Sequence, residues 1–128
     1  MVTWLLLGTA LYLLTVYSEA LFVFAGLGVK GYLGSRDAEP TPSPLHGRAQ
    51  RASRNYKENY PVFMALGILA LVVPEADMGL AVMGAMTFVL ARLIYLPLYL
   101  AAIPALRSTA FTVGWLGMIA MGWALVSG

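Results

Sequence analysis

Apolar stretches long enough to cross a bilayer constrain this chain more than any motif in it. Trp4 to about Val29 contains a single charged residue, Glu19, and Met78 to Ala102 contains only Arg92. Thr109 to Val126 contains none. In hydrocarbon a spanning segment must satisfy its own backbone N–H and C=O groups, so such stretches become helices. Composition agrees: 60% of residues are hydrophobic and 11% are charged, against about 25% charged in soluble domains. The chain therefore reads as an all-α, multi-pass integral membrane protein. It has no cysteine, so disulfides, thiolate metal sites and a cysteine nucleophile are excluded, and any thiol chemistry must use a thiol brought by a substrate. Met1-Val2-Thr3-Trp4 lacks a basic n-region, so a cleaved signal peptide is not expected.

A fourth apolar segment, Pro61 to Val73, is too short. As a helix it rises about 20 Å, less than the ~30 Å hydrocarbon core. It spans only if the helix begins earlier, near Arg48, and takes in the polar run Arg51-Ala52-Ser53-Arg54-Asn55-Tyr56-Lys57-Glu58-Asn59-Tyr60. Pro61 then lies inside that helix, removing one backbone donor. The expected architecture is one four-transmembrane-helix bundle over residues 1–128, with spans at about 4–29, 48–73, 78–102 and 109–126. Residues 30–47 form the connector, extended around Pro40-Thr41-Pro42-Ser43-Pro44, and Ile103 to Ser108 forms the last turn.

Basic residues set the orientation. Lys30, Arg36, Arg48, Arg51, Arg54 and Lys57 cluster about the first connection, and Arg107 marks the third. The second carries Glu75 and Asp77 without Lys or Arg. Connections one and three are expected to be cytoplasmic, with both termini on the far side. The compact length favours a bacterial cytoplasmic membrane.

Within the second span Arg51, Asn55 and Glu58 fall at i, i+4 and i+7, inside an arc of roughly 60°. A cation, an amide and an anion on one stripe at a membrane edge form a candidate polar ligand site. In the third span Arg92, Tyr95 and Tyr99 also share one face. An arginine facing lipid costs ~2.5–3.5 kcal/mol or more, so Arg92 is expected to face protein or water. The polar set can converge with Arg107 at one depth; alternatively, Arg92 forms a structural ion pair with Glu58. Glu19 reads as a partner for a basic residue on a neighbouring helix, or as a proton or cation carrier. His46, without a second histidine or any cysteine nearby, reads as a solvated loop residue, and no metal site is expected.

The pattern Arg51-Ala52-x-x-Asn55-x-x-Glu58-x-x-Pro61-x-Phe63 at the start of a second span resembles the signature of the MAPEG family, the membrane-associated proteins of eicosanoid and glutathione metabolism. Arg92, Tyr95 and Tyr99, followed by Arg107-Ser108, supply a second match. The resemblance implies a homotrimer of four-helix protomers, with glutathione as cosubstrate bound between subunits near the cytoplasmic side. It implies that Arg51, Asn55, Glu58, Arg92, Tyr95 and Tyr99 line the glutathione site. Arg107 and Ser108, with Tyr99, would stand near the thiol as the catalytic group. The implied activity is glutathione-dependent transfer or peroxide reduction on a lipophilic small molecule delivered through membrane lipid; no nucleic acid is involved. One alternative is a non-catalytic member of the same family that binds lipid or acts as a scaffold. Another is a small multidrug-type transporter using Glu19.

Overall fold

A computed structural model describes residues 1–35 and 43–128. The proline-rich stretch at residues 40–42 and Arg36, both given roles above, lie outside the described residues. Among the described residues four helices follow in order: α1 (Val2–Leu33), α2 (Pro44–Val72), α3 (Met78–Leu100) and α4 (Pro104–Ala124). They form an all-α bundle, and α1 and α3 are long and apolar enough to cross a membrane. Leu6, Leu14, Leu21, Leu93, Ile94, Trp115 and Leu116 point outward, an apolar exterior suited to lipid or to other apolar helices.

The polar run is helical because a buried seam continues through it. Ala49, Ala52, Ser53, Tyr56, Phe63, Gly67 and Ala70 are buried along α2 at steps of one or two helical turns, while the charges occupy the other faces. Phe63 stacks on Phe88 of α3 with ring centroids 4.4 Å apart. The Tyr56 hydroxyl donates to the carbonyl of Gly8 in α1 at 3.0 Å. Leu5, Ala85, Val89, Met118 and Met121 complete this core. At the opposite end Met1 packs on Ala70, Ala81 and Ala124, so the N-terminus lies with the α2–α3 connection.

Helices α3 and α4 pack most extensively, and glycine is the reason. A Cβ on Gly84 would stand 2.5 Å from the carbonyl oxygen of Gly117, and one on Gly117 would stand 2.6 Å from that of Gly84. The two backbones meet where neither residue has a side chain.

Several boundaries differ from the sequence expectation. Helix α2 begins at Pro44, within the expected connector: Ser43 is its N-cap, accepting from the backbone N–H of His46 at 3.2 Å, and proline suits a first helical position. His46 is accordingly not a loop residue but part of the first turn, with its ring stacked near Phe22 at 6.1 Å. Helix α1 continues to Leu33, but in two pieces, joined at Gly28 with φ 66° and ψ 179°. Only glycine adopts that conformation without strain. Helix α4 starts at Pro104, so Ile103 to Ser108 is not the last turn. That turn is shorter: Ile103 N donates to Leu98 O and Ala102 N to Tyr99 O, with Ala102 at φ 57°. This is a Schellman closure of α3, and proline can start the next helix at once.

Candidate functional site

The end of the bundle where α2 and α4 begin and α3 finishes encloses a cleft of about 410 Å³. Its wall holds Arg51, Arg54, Asn55 and Glu58 from α2, Tyr95 and Tyr99 from α3, and Arg107, Ser108, Phe111 and Thr112 from α4. The buried seam turned towards α1 and α3 leaves the Arg51, Asn55 and Glu58 stripe facing this space. The Schellman closure makes the passage from α3 to α4 so short that Tyr99 and Arg107 stay together. The Arg107 guanidinium lies over the Tyr99 ring at 4.5 Å, and the Tyr99 ring sits 5.4 Å from that of Tyr95.

The polar groups of this wall are largely free. Among the described residues no hydrogen bond or ion pair engages the side chains of Arg51, Arg54, Glu58, Arg107 or Ser108. Three guanidiniums therefore face the cleft against one carboxylate, a surface with unfilled capacity for anions and a single place for a cation. A neighbouring recess of about 180 Å³ shares Arg51, Tyr99 and Arg107 and adds Arg48, which is tied down by donating to Leu100 O at 2.8 Å. There it satisfies one of the last carbonyls of α3 and places a cation at a helix C-terminus.

Arg92 is placed differently from its expected companions. It is 2% exposed and does not line the cleft. Nor does it pair with Glu58: its Nη1 donates to Asn55 Oδ1 at 2.5 Å. Four rings surround its guanidinium, those of Tyr56, Phe88, Tyr95 and Phe111, with centroids 5.2–5.5 Å away. Aromatic faces attract a cation electrostatically, which is how this arginine is held without a carboxylate beside it. Glu19 pairs with Lys57, Oε2 to Nζ, at 3.4 Å, the neighbouring-helix partnership expected of it. Lys30 lies in the last turn of α1 beyond the Gly28 break and does not reach the cleft.

Arg54, Phe111 and Thr112 belong to the wall but were not singled out from the sequence. Arg54 follows Arg51 at i+3. Phe111 and Thr112 follow Arg107 and Ser108 at i+4, a signal visible only once α4 is started at Pro104 rather than at Thr109. Among the described residues no group of three or more His, Cys, Asp or Glu side chains could hold a metal ion. A cleft of this size falls within the roughly 300–1,000 Å³ of small-molecule sites and offers two charge signs at a bundle end. No curated protein matches the chain in sequence. The sequence pattern of one family, described as the MAPEG family, matches residues 4–127.

Proposed function

Because the chain belongs to the MAPEG family, a family of membrane proteins in glutathione and eicosanoid metabolism, we propose that it is a glutathione-dependent membrane transferase or peroxidase. The observation carrying this reading is the cleft in which Arg51, Arg54, Asn55, Glu58, Tyr99 and Arg107 converge, with no hydrogen bond or ion pair among the described residues on the charged groups. Glutathione presents two carboxylates, one ammonium and peptide amides. Guanidinium forks match the carboxylates, Glu58 matches the ammonium, and the amide of Asn55 completes the polar set.

Arg107 and Ser108 are assigned to the thiol. A free thiol near pKa 8.5 is mostly protonated at neutral pH, and a cation beside the sulfur favours the thiolate by ~1.4 kcal/mol per pKa unit. The sulfur lone pair then forms a C–S bond to an electrophilic carbon as the leaving group departs with its electron pair. With a hydroperoxide it attacks the outer oxygen, the O–O bond breaks, and alkoxide leaves to be protonated. The resulting sulfenic acid of glutathione is reduced by a second glutathione to the disulfide and water. The electrophile is a lipophilic molecule arriving from the bilayer while glutathione arrives from water.

The same reading takes the protein as a homotrimer. In a single chain Arg51, Arg54, Lys57 and Glu58 are exposed on α2, and the apolar length beyond them, Pro61–Val72, rises only about 18 Å. Some of that charged face must fall within the ~30 Å core, where a lipid-facing charge costs ~2.5–3.5 kcal/mol or more. Another copy of the chain covers such a face where lipid does not.

The test is thermal unfolding of the detergent-solubilised protein with and without glutathione. The wild type gains stability, and Arg51→Ala and Glu58→Ala lose that gain. No shift at millimolar glutathione overturns the reading. A shift without conjugation of an aryl halide or reduction of a lipid hydroperoxide replaces it with the non-catalytic, lipid-binding one.

A further inference from the structure

We infer that Arg92 is a positioning residue: it holds Asn55 so that the amide NH2, rather than the amide oxygen, is presented to the cleft. A guanidinium has only donors, so the Asn55 atom that meets Arg92 Nη1 is Oδ1. Asn55 Nδ2, with its two N–H groups, is left on the side of the cleft that Asn55 lines, and among the described residues no hydrogen bond engages it.

Among the described residues no other hydrogen bond sets the orientation. Asn59, one turn on, donates its Nδ2 to the backbone oxygen of Asn55 at 2.7 Å and leaves the side chain alone. Arg92 itself has little freedom, being enclosed by Tyr56 and Phe88 beneath and by Tyr95 and Phe111, which also form part of the cleft wall. Its Nε and Nη2 are buried without partners, so the contact to Asn55 is the one hydrogen bond of this guanidinium among the described residues. Losing it would leave the guanidinium with the aromatic rings but no hydrogen bond, which favours keeping Asn55 in this one orientation.

The consequence is a statement about the ligand. At Asn55 the cleft reads a hydrogen-bond acceptor, a carboxylate or carbonyl oxygen, and it rejects a donor such as an ammonium. That role falls to Glu58, one turn further along the same helix face. Amino and acyl groups of a bound peptide are thus told apart by two α2 residues with opposite hydrogen-bonding sense. The opposite sense at Asn55 comes from a residue on α3 that does not touch the ligand. The identity of the ligand as glutathione rests on the function proposed above; the contact and the orientation do not.

Two experiments on the full-length protein test this. In ligand-free thermal unfolding, Arg92→Met and Asn55→Ala are combined in a double-mutant cycle. If the contact is made, the double variant melts with the less stable single; additive losses overturn it. Should Arg92→Met not fold, Asn55→Asp, which keeps an acceptor for Arg92, should melt above Asn55→Ala, and equal or lower melting overturns the contact. In glutathione titrations, Asn55→Asp keeps the acceptor for Arg92 but removes both N–H groups and adds a negative charge towards the cleft. The expected result is affinity at least about tenfold weaker, the worth of roughly one or two ligand hydrogen bonds. Equal or tighter binding overturns the assignment, because the ligand would then be meeting an acceptor at this position. A wild-type protein that ignores glutathione sinks the transferase reading instead, and the ligand-free cycle alone then decides for or against the Arg92 contact.

Discussion

Gly84→Ala introduces one methyl group at the tightest point of the bundle. Its carbon would stand 2.5 Å from the carbonyl oxygen of Gly117, 2.8 Å from Met121 Cγ and 3.0 Å from Met121 N. Ordinary contact begins near 3.4 Å, so relief requires a local separation of about 0.9 Å, the difference 3.4 − 2.5. Two of the three obstacles are backbone atoms, so no rotamer change can supply that distance. Overpacking of this kind costs typically 1–3 kcal/mol, and alanine returns up to about 1 kcal/mol of helix propensity. A net loss of roughly 1–2 kcal/mol follows, seen as a fall in apparent melting temperature of several degrees. Two other glycines supply the controls. Among the described residues a Cβ on Gly122 meets only Leu66 Cδ2 at 3.8 Å, and one on Gly26 meets nothing within 4 Å, so alanine at either site should be neutral or slightly stabilising. If Gly84→Ala melts together with Gly122→Ala in parallel differential scanning fluorimetry, the close-approach argument fails.

Three further changes probe features of the same fold. Ala102→Gly should stabilise by about 1 kcal/mol, because alanine pays for a left-handed conformation at φ 57° that glycine adopts freely; a loss of stability in thermal melts would contradict this. Gly28→Ala should destabilise by roughly 1–2 kcal/mol for the converse reason, with φ 66° retained by the break in α1, and an unchanged melting temperature would argue against that break. Tyr56→Phe removes the hydroxyl that donates to Gly8 O while keeping the ring against Arg92, so it should cost about 1 kcal/mol and leave the protein folded; a collapse of secondary structure by circular dichroism would show that more than one hydrogen bond depends on it.

Much of this architecture is legible in the chain because hydrocarbon and helical period restrict it so heavily. The apolar stretches around Glu19 and Arg92 have few ways to satisfy their backbones, and the spacing of Arg51, Asn55 and Glu58 puts them on one stripe whichever residue starts the helix. The errors fall where a residue has two local meanings. Pro44 and Pro104 read as interruptions, yet both occupy the first helical position, where a missing N–H costs nothing. Ala102 carries no mark of a left-handed residue, since glycine is the usual signal and here hydrogen bonds to Leu98 and Tyr99 impose the conformation. Arg92 was expected to need an anion or a ligand. Its partners are an amide and four aromatic rings drawn from α2, α3 and α4, a cage assembled only by tertiary packing.

The close joining of α3 and α4 also bears on how the cleft moves. Their backbones meet at Gly84 and Gly117, and the turn between them runs only through Ala101, Ala102 and Ile103. Tyr95, Tyr99, Arg107 and Ser108 are therefore carried on one stiff body, like the fixed jaw of a vice. The opposing jaw is α2, secured at this end by the hydrogen bonds from Arg48 to Leu100 O and from Arg92 to Asn55 Oδ1. A swing of α2 that widens the mouth must release both, and hydrogen exchange should find Ala49 and Ala52 opening before Phe88 or Gly117.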